Sequence, residues 1–177
     1  PLAGEESEEA VLPALARHAR VQYREGGIAD SSHRVRGLGR FRINLHRERG
    51  RAAATVRALP TQPPRLASLG LPAGVEALTR LPRGLVLVGG PTGSGKTTTL
   101  AALVEEINRR DSRHVVTIED PVEYEHPHRS SLIEQIEIGI DAPDFPTALR
   151  AALRQAPDVI VVGEMRDTET MRIALAA

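Results

Sequence analysis

The chain has 177 residues, of which 41% are hydrophobic and 26% charged, and its formal net charge is zero. This is enough apolar material for a packed core in one or two domains, and the balanced charge argues against a globally basic nucleic-acid-binding protein. The absence of cysteine excludes a disulfide scaffold and a cysteine-ligated zinc site within these residues. No apolar run approaches the ~20 residues of a transmembrane helix, so we expect a soluble, cytoplasmic protein.

The first sixty residues predict a small α+β unit. Apolar residues between positions 11 and 19 recur at helical spacing, and Pro13 favours a helix that begins just before it. Segments 41–45 and 54–58 alternate apolar and other residues with a period of two, which predicts a β-hairpin. The proline-rich segment 60–64 predicts a stiff linker and a domain boundary.

Past this linker, short apolar runs alternate with amphipathic segments. The runs 85–88, 115–118 and 159–162 predict strands buried on both faces. Helices are predicted over 100–107 and 145–156, and Asp167 is the expected N-cap of a last helix. The alternation predicts a parallel sheet with right-handed crossovers. Because the sheet is thin and the chain begins with Pro, we expect a portion of a longer protein.

A glycine-rich motif carries the strongest functional signal. Residues 90–97, GPTGSGKT, follow an apolar run, open a helix and fit G-x-x-x-x-G-K-[ST]. Backbone N–H groups in such a loop can surround an anion at a helix N-terminus, which disfavours a turn without a ligand. Lys96 is the sole lysine and suits the β- and γ-phosphates of ATP, and Thr97 suits Mg²⁺. The predicted nucleotide-binding residues are Gly90, Thr92, Gly93, Ser94, Gly95, Lys96, Thr97 and Thr98.

Carboxylates follow two of the predicted strands. Gly163 occupies the position after the third apolar run where many nucleotidases carry Asp, so Glu164 is the acid best placed beside Thr97 and a metal. The strand 115–118 is followed by three acids, Glu119, Asp120 and Glu123. The carboxyl ends of parallel strands face the ligand crevice, so at least one of the three is expected to be functional. Their spacing does not show which of the three is functional.

Two further features allow alternative interpretations. The segment 33–57 carries eight Arg against one acid. These charges are either solvated on the polar face of the hairpin or meet phosphate or an acidic neighbour. Nucleic-acid binding is disfavoured because Phe41 is the only aromatic residue in this segment. In His126-Pro127-His128 a proline separates the histidines and no third ligand is near, which favours a surface loop over a metal site.

Three segments together resemble the motor ATPases of secretion systems and type IV pili. Residues 84–100 are similar to their phosphate loop, 117–124 to their aspartate box, and 148–170 to their atypical Walker B motif, in which Gly precedes Glu. The sequences of 37–44 and 163–167 resemble the retraction (PilT-like) branch more than the extension or type II secretion branch.

The resemblance implies a homohexameric motor, peripheral to the cytoplasmic face of the inner membrane. Mg²⁺-dependent ATP hydrolysis would turn the pilus platform protein in that membrane and drive filament disassembly. The implied fold is part of a PAS-like domain over 1–60, a linker over 61–75, and a RecA-like ATPase domain over 76–177 without its C-terminal part. Since the family extends beyond both ends, we expect little hydrolysis by this chain alone.

The resemblance also assigns roles to residues. The implied catalytic residues are Glu164, Glu123 and Lys96, and the implied metal ligands are Thr97 and Glu164. Glu123 matches the aspartate-box glutamate that activates water, and Arg42 and Arg57 match arginines that reach the nucleotide as the domains close. Arg150 and Arg154 match arginines near the subunit interface. The alternatives are a pilus-extension or type II secretion ATPase, a nucleic-acid translocase on the same core, and a non-catalytic nucleotide-binding subunit.

Overall fold

The chain forms two compact units in a computed structural model that describes residues 4–177. The units are Pro1–Thr61 and Gln62–Ala177, and their boundary falls in the proline-rich segment. Each unit has its own hydrophobic core. Among the described helices, none is both long enough and apolar enough to cross a membrane.

The first unit opens with two short helices. Helix α1 covers Gly4–Val11, a 3₁₀ turn covers Leu12–Ala14, and α2 covers Arg17–Gly26. The predicted single helix beginning just before Pro13 is therefore wrong, because Pro13 lies in the turn that separates the two helices. Proline lacks an N–H and its ring obstructs the preceding turn, so α1 does not continue past it. Arg20 donates hydrogen bonds to the carbonyl groups that this break leaves free, those of Pro13 (2.9 Å) and Leu15 (2.8 Å).

An antiparallel sheet completes this unit. Its strands, in spatial order, are β1 (Ala29–Val35), β2 (Gly39–Glu48) and β3 (Arg51–Ala58). The predicted hairpin is confirmed as β2 and β3, whereas β1 was not predicted because its sequence, ADSSHRV, has no apolar alternation. The core joins side chains of the helical region to one face of the sheet. Its buried members are Leu15, Ala19, Tyr23, Ala29, Ile43, Leu45 and Ala52.

The second unit is an α/β structure built on a parallel sheet. Its helices and strands are α3 (Gly74–Ala77), α4 (Lys96–Arg110), β4 (His114–Glu119), β5 (Leu132–Glu137), α5 (Phe145–Ala152), β6 (Val159–Val162) and α6 (Thr168–Ala176). The spatial order is β5-β4-β6, and both pairs are parallel. The predicted strands at β4 and β6, the predicted helices and the Asp167 N-cap are confirmed.

Helices cover both faces of this sheet. Val104 and Ile107 of α4 pack with Val115 and Ile133 on one face. On the other face, Val116 and Ile118 pack with residues of α5 and α6. A further small cluster joins Leu66 to Ala102 and Leu103 of α4, so part of the expected 61–75 linker packs on the second unit. The two-sided cover explains why all four residues between His114 and Glu119 of β4 are buried and three of them are apolar.

The predicted strand over 85–88 is wrong in this structure. The segment has no regular secondary structure, and the side chains of Leu85 and Leu87 are 52% and 68% exposed. A strand needs a neighbour for its ladder of hydrogen bonds, and none of the described strands pairs with this segment. The third strand of the sheet is β5 instead, whose sequence LIEQIE does not alternate cleanly and was not predicted.

Candidate nucleotide site

The phosphate loop lies at the N-terminus of α4, the longest described helix. Gly95 precedes the helix with a φ of 92°, a left-handed conformation that glycine adopts without steric cost. Gly90 has a φ of 156°, and a Cβ atom there would lie 2.6 Å from Ser94 Oγ. Both positions therefore require glycine. The loop leaves the first N–H groups of α4 facing an exposed site, where the helix dipole favours an anion.

Lys96 places its ammonium group back over this loop. Its Nζ donates hydrogen bonds to the carbonyl oxygens of Gly90 (3.0 Å) and Pro91 (2.8 Å). The three threonines that follow, at positions 97–99, are half-buried in the first turn of the helix. A flexible ammonium held only by exposed carbonyl groups can move onto an anion bound in the loop.

The carboxyl ends of the three parallel strands meet at one edge of the sheet. Glu119 at the end of β4 pairs in register with Glu137 at the end of β5. The residue after β6, Gly163, donates its N–H to the Ile118 carbonyl oxygen at 2.8 Å. A Cβ on Gly163 would lie 3.2 Å from that oxygen and 3.4 Å from Glu119 Cα, which explains why glycine stands here.

Glu164 follows at the same edge and is half-buried. Its Oε2 forms an ion pair with Arg166 Nη2 at 2.9 Å, and the Arg166 side chain is 82% exposed. Sequence reasoning did not single out Arg166. A basic residue two positions after an acidic one on a loop is a common pattern with little predictive value. The pair balances the charge of the carboxylate while leaving it reachable from solvent.

Glu119 is the most constrained of the three acids that follow β4. Its Oε1 accepts hydrogen bonds from Thr117 Oγ1 (2.6 Å) and Gln135 Nε2 (3.2 Å). Burial raises the pKa of Glu119, and these two hydrogen bonds together with the Glu123 backbone N–H partly offset the rise. Glu119 therefore anchors the strand end rather than offering a free carboxylate.

Glu137 is a buried carboxylate that sequence reasoning missed, because β5 itself was not predicted. Its side chain accepts a hydrogen bond from the Val122 backbone N–H at 3.1 Å. Its own N–H donates to Asp141 Oδ2 at 2.8 Å. Glu137 thereby fixes the turn that follows Pro121, whose preceding peptide bond is cis.

Glu123 and Tyr124 lie on this turn and approach the start of α4. The Tyr124 hydroxyl and Thr98 Oγ1 are 3.1 Å apart and share a hydrogen bond. Glu123 is half-buried, and among the described residues no hydrogen bond or ion pair to its carboxylate is observed. Of the three acids, Glu123 is the one that lies beside a contact to the phosphate loop and keeps its carboxylate uncommitted. Asp120 is exposed.

The predicted site residues divide between the two units. Gly90–Thr98, Glu123 and Glu164 belong to the second unit, where Tyr124–Thr98 and Gly163–Glu119 contacts bring their elements together. Arg42 and Arg57 belong to the first unit, face each other across β2 and β3, and Arg42 Nε lies 3.4 Å from Asp30 Oδ1. Arg150 forms an ion pair with Glu169 of α6.

The expectation of a plain surface loop at His126–His128 is wrong for His126. The His126 side chain is only 3% exposed and lies beside Glu105 of α4. Burial lowers the pKa of His126, and the nearby Glu105 carboxylate partly offsets this effect. His128 accepts a hydrogen bond at Nδ1 from the Ile133 N–H at 3.1 Å. The reason is β5, whose pairing with β4 draws this segment back over α4.

The donor set fits a magnesium ion that is held mainly by phosphate oxygens. Thr97 and Glu164 offer hard oxygen donors, and Mg²⁺ in nucleotide sites takes only one or two protein ligands besides phosphate and water. Within residues 6–177, whose side chains the structure describes, no group of three or more His, Asp or Glu side chains is arranged to hold a metal without a nucleotide.

The second unit is thus an α/β structure with a glycine-rich loop at a helix N-terminus and acids at the carboxyl edge of its parallel sheet. The model of the family "Type II/IV secretion system protein" matches residues 53–177. The chain belongs to this family.

Named relatives cover most of this chain. It is 44% identical over 158 residues to the type IV pilus retraction ATPase PilT of Pseudomonas aeruginosa, a match covering 89% of this chain and 46% of PilT. It is 42% identical over 176 residues to a twitching motility protein of Neisseria gonorrhoeae, covering 99% and 47%. A crystal structure of the pilus retraction motor PilT with bound ADP superposes with a TM-score of 0.91 at 48% identity, covering 96% and 50%. This chain thus spans about half the length of these relatives.

Proposed function

We propose that the chain is the nucleotide-binding part of a motor ATPase that powers type IV pilus retraction. The observation that carries the proposal is the glycine loop at the N-terminus of α4 with the single lysine folded over it. The family membership and the matches to a retraction ATPase and a twitching motility protein support it.

The loop binds the phosphates of ATP, and two of its residues have separate tasks. The N–H groups at the start of α4 receive the phosphate oxygens, and Lys96 exchanges the carbonyl groups of Gly90 and Pro91 for the β- and γ-phosphates. The Thr97 hydroxyl and, directly or through water, the Glu164 carboxylate hold Mg²⁺. When bound there, Mg²⁺ would supply positive charge that offsets the negative charge of the phosphate oxygens.

Glu123 orients the water that attacks the γ-phosphate. Its uncommitted carboxylate can accept a proton from water, and the Tyr124–Thr98 hydrogen bond holds it near the loop. The Glu164 carboxylate already forms an ion pair with Arg166. When Glu164 holds the metal, Arg166 either leaves this ion pair or stays beside the metal as a second positive charge. Most of the rate enhancement then comes from positioning and charge stabilisation.

The remaining parts of the proposal concern assembly. Arg42 and Arg57 contribute positive charge to the nucleotide when the units close around it, and their pairing across β2 and β3 presents them together. The motor is a homohexamer, peripheral to the cytoplasmic face of the inner membrane, and its partner is the pilus platform protein. Nucleic acid is not a partner, and DNA-stimulated hydrolysis with a steep salt dependence would contradict this assignment.

Two substitutions in the intact protein test the chemistry. Lys96→Ala is expected to lower ATP turnover by about a hundredfold or more, because charge at the γ-phosphate is lost. Glu164→Gln should lower kcat by about a hundredfold and leave the Kd for ATP within about threefold. Glu106→Gln is the matched control, since it makes the same change about 15 Å along α4 from the loop.

For each variant, the rate of ATP hydrolysis is measured, and the Kd for ATP is determined by equilibrium titration. Wild-type turnover in the Lys96→Ala protein would refute the proposed ATPase. Loss of ATP binding in the Glu164→Gln protein would contradict a mainly catalytic role for that residue. Single-turnover cleavage of ATP by the wild-type protein excludes a non-catalytic nucleotide-binding subunit.

The second candidate is a secretion or pilus-extension ATPase, because the matched family covers type II as well as type IV systems. A deletion strain separates the two. Loss of twitching with pili retained supports retraction. Loss of protein export, or of pili altogether, supports the second candidate.

A further inference from the structure

A buried polar cluster lies beside the C-terminal half of α4, away from the phosphate loop at the N-terminus of this helix. It consists of Glu105 and Asn108 of α4 and His126 and Arg129 of the segment between β4 and β5. We call these four residues the loop anchor. Measured over the whole residue, Glu105 is 2% exposed, Asn108 0% and His126 9%. Burial of such polar side chains is costly unless they are paired.

Asn108 ties the segment to the helix through both its side chain and its backbone. Its Nδ2 donates to the Pro127 carbonyl oxygen at 2.7 Å, and its Oδ1 accepts from the Arg129 N–H at 3.2 Å. Its own carbonyl oxygen accepts from the Ser130 N–H at 2.9 Å. These hydrogen bonds replace the ladder partners that a loop backbone lacks.

Glu105 supplies the negative charge of the loop anchor. Its Oε1 lies 3.0 Å from Arg129 Nε and 2.5 Å from Arg109 Nε, so one buried carboxylate has two guanidinium partners. The two partners differ in place, because Arg129 belongs to the loop and Arg109 to α4 itself. The other oxygen, Oε2, faces His126 Nδ1 at 3.8 Å, too long for a hydrogen bond, and neither atom makes one elsewhere in the described structure.

The same segment is fixed at its other end by Gln135 of β5. The Gln135 side-chain amide donates to the Tyr124 carbonyl oxygen at 2.9 Å and accepts from the His126 N–H at 2.8 Å. Tyr124 in turn reaches Thr98 at the start of α4. The loop anchor and the Tyr124–Thr98 contact thus lie on one continuous segment that runs along α4.

We propose that the loop anchor positions Glu123 for hydrolysis, and that Glu105, Asn108, His126 and Arg129 are positioning residues of the ATPase. This inference rests on the proposed function. Glu123 lies three residues before His126, between the Tyr124–Thr98 contact and the turn held by Glu137. Its carboxylate has no described partner of its own, so its placement depends on its backbone, which Glu137 holds on one side and the loop anchor on the other. A displacement of about 1 Å at a catalytic group can cost a hundredfold in rate.

A comparison of two arginine variants in the intact protein tests this. Arg129→Ala and Arg109→Ala each remove one guanidinium from the same Glu105 oxygen, and both side chains are about one-third exposed, at 38% and 32%. Because Arg109 lies on α4 itself, only Arg129→Ala removes a contact between the loop and α4. We expect it to lower kcat by about tenfold or more with the Kd for ADP within about twofold, and Arg129→Lys to recover part of the loss. Arg109→Ala should keep kcat within about twofold.

Hydrogen exchange of the amides in 121–131 supplies a readout that needs no turnover. Exchange should accelerate in the Arg129→Ala protein and stay at the wild-type rate in the Arg109→Ala protein. Equal effects of the two variants on kcat, or a weakened Kd for ADP in Arg129→Ala, would overturn the positioning role. If the wild-type protein hydrolyses no ATP, the proposed function and the catalytic role fail together, and the exchange comparison still decides whether the loop anchor holds the segment.

Discussion

Glu119 and Glu123 lie four residues apart after β4, and their carboxylates have different surroundings. Glu119 accepts hydrogen bonds from Thr117 and Gln135, while Glu123 keeps its carboxylate uncommitted beside the contact to Thr98. Spacing along the sequence could not separate them, because the difference arises from hydrogen bonds of folded side chains, and one of these comes from Gln135 on a strand that was not predicted. The position of the glycine loop at the start of a helix, in contrast, was predictable, since its conformation is local.

Glu119 gives a prediction about stability and pH. Burial raises its folded-state pKa above the ordinary value of 4.5, so the unfolded chain loses this proton at lower pH than the folded chain. The folded state is therefore destabilised progressively as pH rises from 4.5 through the raised pKa, and the full cost is present above that pKa. Glu119→Gln removes this titration and can still accept both hydrogen bonds.

The free energy of unfolding, measured by urea denaturation from pH 4 to pH 8, checks this. The stability advantage of the Glu119→Gln protein over wild type should grow as pH rises. An advantage that is constant over this range, or that grows towards acid pH, would contradict the assigned burial of the carboxylate.

At the scale of elements, the close approach of β6 to β4 depends on Gly163. Gly163→Ala would place a Cβ 3.2 Å from the Ile118 carbonyl oxygen, and backbone atoms cannot easily move aside. We expect a loss of about 1–3 kcal/mol in the free energy of unfolding, as for other overpacked sites. Gly74→Ala is the control, because a Cβ there meets nothing within 4 Å and its φ is not positive.

Thermal or urea unfolding of the two alanine variants provides the measurement. Equal stability of Gly163→Ala and Gly74→Ala would show that β6 can move away from β4 at no cost. Many nucleotidases carry Asp at the position of Gly163. The close spacing of β6 and β4 explains why this chain carries glycine there.

Sequence patterns predicted two kinds of element. The hairpin of β2 and β3 and helices α4 and α5 have a periodicity that comes from one covered face, whereas strands β4 and β6 are largely apolar because both of their faces are covered. Strand β1 was missed because it is polar, and β5 because its apolar residues do not alternate cleanly. The apolar run 85–88 was misassigned because apolarity alone does not provide a hydrogen-bonding neighbour. The burial of His126 was missed because it depends on β5, which was not predicted.

At the scale of the whole molecule, the predicted site residues are divided between two units. The second unit holds the glycine loop and the acids, while the first presents Arg42 and Arg57 together on one face of its sheet. The sequence predicted a boundary in the proline-rich segment where this division falls. A contribution of these two arginines to nucleotide binding stays a prediction.

A crystal structure of the intact protein with ADP tests the central claim most directly. We expect the β-phosphate to accept hydrogen bonds from the backbone N–H groups of 93–97, and Lys96 Nζ to have left the carbonyl oxygens of Gly90 and Pro91 for the phosphate. ADP bound elsewhere, with Lys96 still on those two carbonyl groups, would contradict the account.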